Sequence, residues 1–159
     1  MADSSPKKRK KDKNPKIKSL PENASSARTK VEPLAYKLQT PVWQISKIDN
    51  ESKWGWKHVG RERWERTILP HLVNRESMTW AAIETEPKRR GEGSKNHEVQ
   101  VSRIIPEAQK RLVDLKREDY DVLFSLRVTG KIRIWGNREG RVFQIFWFDL
   151  DHEICPCIK

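Results

Sequence analysis

The chain has 159 residues, a formal charge of +11 and 35% apolar residues, enough for one domain with an appendage. Its two cysteines, Cys155 and Cys157, are too few for a disulfide framework. No run approaches the roughly 20 apolar residues of a membrane span, and the basic N-terminus has no hydrophobic stretch behind it. These features exclude a membrane partner and a secretory signal from the expectation, which is a cytoplasmic protein.

The charge is uneven. Residues 1–40 hold 11 Lys/Arg against 4 Asp/Glu, and the remaining 119 hold 22 against 18. Residues 1–40 therefore read as a disordered basic tail, and 41–159 as a single domain. Within the tail, Pro6 to Lys13 (PKKRKKDK) is dense enough for a nucleic-acid tether or a nuclear localisation signal, although a solvated tail is the simpler reading.

The Trp-rich part of the domain, 41–86, opens with a strand over Val42 to Ile48 and a turn-rich link, DNESKWGW. His58 to Val73 follows a helical period through Val59, Trp64, Ile68, Leu69 and Leu72, with Pro70 expected to kink its end. A second short helix is expected over Met78 to Ile83, with Ser77 as its N-cap. Pro87 to Asn96 is a charged, glycine-containing loop. His97 to Val101 alternates like a strand. Pro106 suits a helix first turn, and Ala108, Leu112 and Leu115 form an apolar stripe running to about Lys116. Three strands close the chain, at about Val122–Val128, Ile132–Trp135 and Arg141–Phe148. The expected fold is α+β: an antiparallel sheet of about four strands, with helices on one side and a basic N-terminal tail.

Register follows from keeping one face apolar. An odd-length hairpin centred on Gly130 puts Leu126 and Val128 with Ile132 and Ile134, and sets Arg127 directly across from Arg133. A loop over Asn137–Gly140 then pairs Ile134 with Phe143 and places Gln144 beside Arg133. Trp135 and Phe146 share the face of the two arginines. Such a basic-aromatic face suits an anionic, stackable ligand such as RNA, because guanidinium forks match phosphate oxygens. Pairing with a nearby Asp or Glu is the simpler account of the arginines.

LRVTGKIRIW followed by EGRVFQIFWFDLDHEI resembles the C-terminal sheet of RelE/ParE-type toxins, over about residues 97–156. The shared pattern is leucine-arginine before a short turn, an arginine one strand later, a hydrophobic strand and a late histidine. The resemblance implies a small bacterial protein that cleaves mRNA, as the RelE branch does, without metal or other cofactor. Cleavage in that branch is often in the ribosomal A site, and the protein would be held by an antitoxin protein. On that implication Arg127 and Arg133 hold the scissile phosphate, Lys131 assists, and His152 serves as general acid or base. The Trp-rich 41–86 part and the Cys155-Pro156-Cys157 end lie outside the family pattern.

Other candidates come from the residues themselves. His97 opens its strand and could approach His152, giving two imidazoles with near-neutral pKa. His58 and His71 read as structural. His152, Cys155 and Cys157 do not form a recurrent zinc site, and Asp149, Asp151 and Glu153 read as a solvated acidic edge rather than a cation site. Trp54 and Trp56 could stack bases, but tryptophans flanking a turn usually pack, and core is the simpler reading. The alternatives to a ribonuclease are a non-catalytic nucleic-acid- or protein-binding module using the sheet face, with Trp135, Gln144 and Phe146 contacting RNA, or a ParE-like topoisomerase inhibitor.

Overall fold

The computed structural model describes residues 35–88 and 94–156, all within the unit Val31–Lys159. The basic cluster Pro6–Lys13, most of the expected tail, part of the 87–96 loop and Cys157 lie outside the described residues. The fold is α+β, but its sheet is mixed and has five strands in the order β1-β5-β4-β3-β2. These are β1 (Val42–Gln44), β2 (His97–Gln100), β3 (Val122–Arg127), β4 (Arg133–Glu139) and β5 (Val142–Asp149). The extra pairing is parallel, Trp43 opposite Phe143, and joins segments about a hundred residues apart in sequence, so no hairpin signal announces it.

Both faces of the sheet are covered, not one. On one face Phe124, Leu126, Ile134, Phe143, Ile145 and Phe148 pack under Ile68, Leu72, Trp80 and Ile83. These four come from the helical run 61–76 and from α3 (Trp80–Thr85). On the other face Leu123, Trp135, Phe146 and Trp147 pack under Ala108 and Leu112 of α4 (Pro106–Asp114), with Trp54, Ile104 and Ile154. Strands buried on both sides need apolar residues at successive positions, which is why β5 reads as a nearly continuous hydrophobic run.

The 61–76 run consists of α1 (Arg61–Arg63), a π turn (Trp64–Ile68) and α2 (Leu69–Glu76). Pro70 lacks the N–H that an α-turn uses, and its ring crowds the carbonyl four residues earlier. The wide turn lies at that carbonyl, so the irregularity sits before the proline rather than after it. α3 starts later than expected: Thr79, not Ser77, is its N-cap, and its hydroxyl accepts from the Ala82 N–H at 3.3 Å. Residues 35–40 belong to the fold, not to the tail. Ala35–Leu38 forms a 3₁₀ turn, and the Gln39 carbonyl accepts from the Trp80 N–H.

The second hairpin differs most from expectation. Glu139 pairs with Val142 across a two-residue turn, and Gly140 takes its first position at φ 58°, a backbone conformation that favours glycine. β4 therefore ends four residues later than expected, at Glu139. Ile134 pairs with Phe148 rather than Phe143, and Arg133 with Asp149 rather than near Gln144. Between Trp135 and Gly136 the register shifts, leaving Phe146 as an extra residue on β5. That bulge turns Phe146 and Trp147 to the α4 face while Phe143, Ile145 and Phe148 keep the other. A Cβ at Gly136 would overlap the Gln144 carbonyl oxygen, so the bulge requires glycine there.

Candidate functional site

The first hairpin has the expected register, with Arg127 opposite Arg133. Neither side chain simply projects into solvent. Arg127 Nε donates to the Thr129 carbonyl at 2.9 Å, and Arg133 Nη1 to the carbonyls of Thr129, Gly130 and Ile132 at 3.0, 3.2 and 3.1 Å. Arg133 is only 8% exposed. The loop between the strands thus curls its carbonyl oxygens onto the two cations, which lets like charges stand side by side. Underneath, the Arg127 N–H donates to Asn96 Oδ1 at 2.9 Å, and Asn96 Nδ2 donates to Glu86 at 2.7 Å.

Arg133 continues the same row to Asp149 on β5. The Asp149 carboxylate is fully buried and accepts the N–H groups of Glu153 and Ile154 at 2.8 and 3.0 Å. It thereby folds the chain into a tight turn that holds His152 half-buried at φ 61°. Partial burial and the charge of Arg133 lower the His152 pKa, Asp149 opposes them, and Arg127 adds to the lowering.

His97 enters from the other side. It pairs with Ser125 on β3, in the row that also holds Trp135 and Trp147. Alternation puts this row on the same face as Arg127, Arg133 and Asp149. Partial desolvation, then Lys88 and Arg133, lower the His97 pKa, whereas a hydrogen bond to Ser94 raises it, and Arg103 lowers it further. Both imidazoles therefore stand in the field of one guanidinium, that of Arg133. The structure gathers Arg127, Arg133, His97 and His152 at one end of the sheet.

Other expected site residues lie elsewhere. Lys131 is exposed at the hairpin tip. Trp135 and Phe146 are 1% and 0% exposed and form core under α4, so they offer no ring face to a base. Gln144 is half-buried and lies within hydrogen-bond distance of the Tyr120 hydroxyl, 3.3 Å. The face expected to carry RNA is thus largely interior, and only its end is open. Asp149 does not line up with Asp151 and Glu153, because the chain turns after β5. Among the described residues no three His, Cys, Asp or Glu side chains are grouped to hold a metal ion.

Sequence reasoning missed Lys88 and Arg103, whose charges reach His97. It also missed Asp149 as the residue that shapes the His152 turn. An Asp four residues before a glutamate in a non-helical stretch carries no signal of its own. The chain matches no protein-family model, no curated protein and no solved structure. Among the described residues no helix is long and apolar enough to cross a membrane.

Proposed function

We propose that this cluster binds the RNA backbone and cleaves it without metal, in the manner of a RelE-like mRNA interferase. One observation carries the reading: two imidazoles, His97 and His152, share the field of a single guanidinium, Arg133, and both are held toward the neutral form. A neutral imidazole is a competent base near pH 7. A seated phosphate counters the neighbouring cations, so the second imidazole regains its proton and becomes the acid. The base removes the 2′-hydroxyl proton, the 2′-oxygen bonds to phosphorus, and the P–O5′ bond breaks as the acid protonates the leaving oxygen. The products are a 2′,3′-cyclic phosphate and a 5′-hydroxyl end. Arg127, Lys88 and Arg103 supply positive charge around the developing phosphorane. On this reading mRNA is the substrate, the cytoplasm the compartment and an antitoxin the restraining partner.

The specific observation favouring a second reading is the use of both arginines on loop carbonyls. It suits a binding module in which the same end holds phosphates and breaks no bond. Purified full-length chain with single-stranded RNA separates the two. Cleavage to 2′,3′-cyclic phosphate ends in EDTA, abolished by a 2′-deoxy substrate and by His152→Gln, is expected for the ribonuclease. Tight binding with no product sinks the ribonuclease and leaves the module. In bacteria, induction should arrest growth with new mRNA 5′ ends, both lost in His152→Ala.

A further inference from the structure

The two tryptophans of the WGW segment part company in the structure. Trp54 is 3% exposed and packs on Trp147 with ring centroids 5.6 Å apart. Trp56, two residues on, is 40% exposed. It meets Trp64 at 4.7 Å and Phe148 at 5.8 Å, both edge-on at 69° and 63°. Neither neighbour lies parallel to its ring. A tryptophan needed only to cover Phe148 would gain most by complete burial, and this one instead borders an open cavity of about 290 Å³. Trp56, Lys57, Val59, Gly60, Arg61 and Trp64 line it.

Two of the six lining residues are aromatic and two are cationic. Gly60 sits at φ 76°, and a Cβ there would meet nothing within 4 Å, so the space beside this part of the lining is open. Lys57 and Arg61 stand at the rim. Their partners are exposed carboxylates, Glu51 at 3.6 Å and Glu65 at 2.7 Å, and such surface pairs are weak enough to be exchanged for a phosphate. Residues 57–66 carry Lys57, Arg61, Arg63 and Arg66 against Glu62 and Glu65, so this segment is net positive. A volume just below the usual 300–1,000 Å³ range of small-molecule pockets suits one flat group rather than a large ligand.

We propose that Trp56 is a stacking platform for one unpaired base of single-stranded RNA, with Lys57 and Arg61 on the flanking phosphates. Exposed indole beside basic side chains is the combination that holds single strands without reading sequence. The position agrees with a strand that continues past the pocket. Phe148 touches Trp56 and Trp64, and the next residue, Asp149, is paired with Arg133. The platform and the histidine cluster therefore lie at the same end of β5, on opposite faces of the sheet. The platform stands on its own residues and requires no cleavage chemistry.

The test uses the full chain and a ten-nucleotide 2′-O-methyl RNA, which binds but offers no 2′-hydroxyl to attack. A matched strand has abasic positions throughout. Wild type should prefer the base-containing strand by about tenfold. Trp56→Ala should lose that preference, Trp56→Phe should keep part of it, and Arg61→Ala should weaken both strands alike. His152→Gln should keep the preference for the base-containing strand whatever its overall affinity for RNA, which separates this site from the proposed catalytic cluster. Equal binding of the two strands by wild type overturns the platform, as does an undiminished preference in Trp56→Ala. Should Trp56→Ala fail to fold, the Trp56→Phe and Arg61→Ala results decide. Loss of cleavage in every assay with the base preference intact would remove the ribonuclease and leave the platform standing.

Discussion

Arg127 and Arg133 face each other across β3 and β4, and both donate to one oxygen, the Thr129 carbonyl, at 2.9 and 3.0 Å. The sharing explains how two cations tolerate opposed positions where like charges ordinarily destabilise a sheet. It also divides their roles. Arg133, buried and bonded to three carbonyls, holds the hairpin loop, so Arg133→Ala should cost about 1.5–3 kcal/mol through the loss of its charge-assisted bonds to the loop. Arg127, half-buried with one such side-chain bond, should cost about 1 kcal/mol or less on truncation. Urea unfolding followed by tryptophan fluorescence measures both. Equal stability of Arg133→Ala and wild type would refute the loop-holding role. Loss of activity in Arg133→Ala is accordingly a poor sign of catalysis, and Arg127→Ala is the cleaner probe.

The first hairpin was legible in the sequence because Gly130 and the alternation on both sides of it fix the parity of every residue. The second was not, for two reasons of the same kind. An apolar run with Phe143, Ile145, Phe146, Trp147 and Phe148 gives no alternation to follow once both faces are buried. A bulge that adds Phe146 then changes parity within the strand. Gly136 marked that bulge, but an isolated strand glycine is equally read as the beginning of a turn. β1 was recognised as a strand and its partner was not, since parallel pairing leaves no local trace. At the candidate site, Arg127, Arg133, His97 and His152 were legible and do converge. Trp135 and Phe146 were placed on the correct face, and what hid their burial was α4, which an amphipathic stripe predicts without saying where it docks.

The pH dependence of cleavage tests the pairing of the histidines. Both have folded pKa values below the usual 6.5, by partial burial first and then by Arg133 for His152, and by Lys88 and Arg133 for His97. In the free protein one imidazole must be neutral and the other protonated. The kcat/KM profile should therefore be bell-shaped with its maximum on the acid side of pH 6.5. A maximum above pH 7 would show that these histidines are not the acid and base.

Asp49 is a second buried anchor, remote from the candidate site in role. Arg111 grips it in two hydrogen bonds of 2.8 and 2.7 Å, and Trp147 Nε1 donates to it at 3.1 Å. Burial alone would raise its pKa. Arg111 outweighs that, aided by the Glu51 N–H, the Ser52 side chain and Trp147, and holds the carboxyl well below the ordinary carboxylate range. Its contribution is thus complete above the unfolded value and is lost as pH falls below about 4. Asp49→Asn should cost about 3–5 kcal/mol at pH 7, because it leaves Arg111 against a neutral partner in a partly buried site. Denaturant unfolding at pH 7 checks this, and a loss under 1 kcal/mol would show that the Arg111 pair is dispensable.

His71 should impose its own acid dependence on folding. Arg75 Nη1 donates to His71 Nδ1 at 3.0 Å and Arg75 Nη2 grips both oxygens of Glu86 at 2.9 Å. Burial first, and the Arg75 charge next, push the His71 pKa down to about 4; Glu86 opposes them and Lys95 adds a little. Between pH 6.5 and 4 the unfolded chain therefore binds a proton that the folded chain refuses. Stability present above pH 6.5 falls as pH drops through that window, by about 2 kcal/mol after allowance for partial exposure. Glu86 is itself held below its usual range, burial notwithstanding, by Arg75 and Asn96, so the bare wild-type curve mixes several groups. Its shift acts below its unfolded value near 4.5, which leaves the upper part of the window to the histidines, His71 together with His97 and His152. His71→Gln keeps an acceptor for Arg75 and cannot titrate. Unfolding free energies at pH 6.5, 5.5 and 5.0 should decline more steeply in wild type than in the variant, which keeps the lowered His97 and His152. Parallel curves for the two proteins would mean that His71 takes up its proton as readily in the fold as in the unfolded chain.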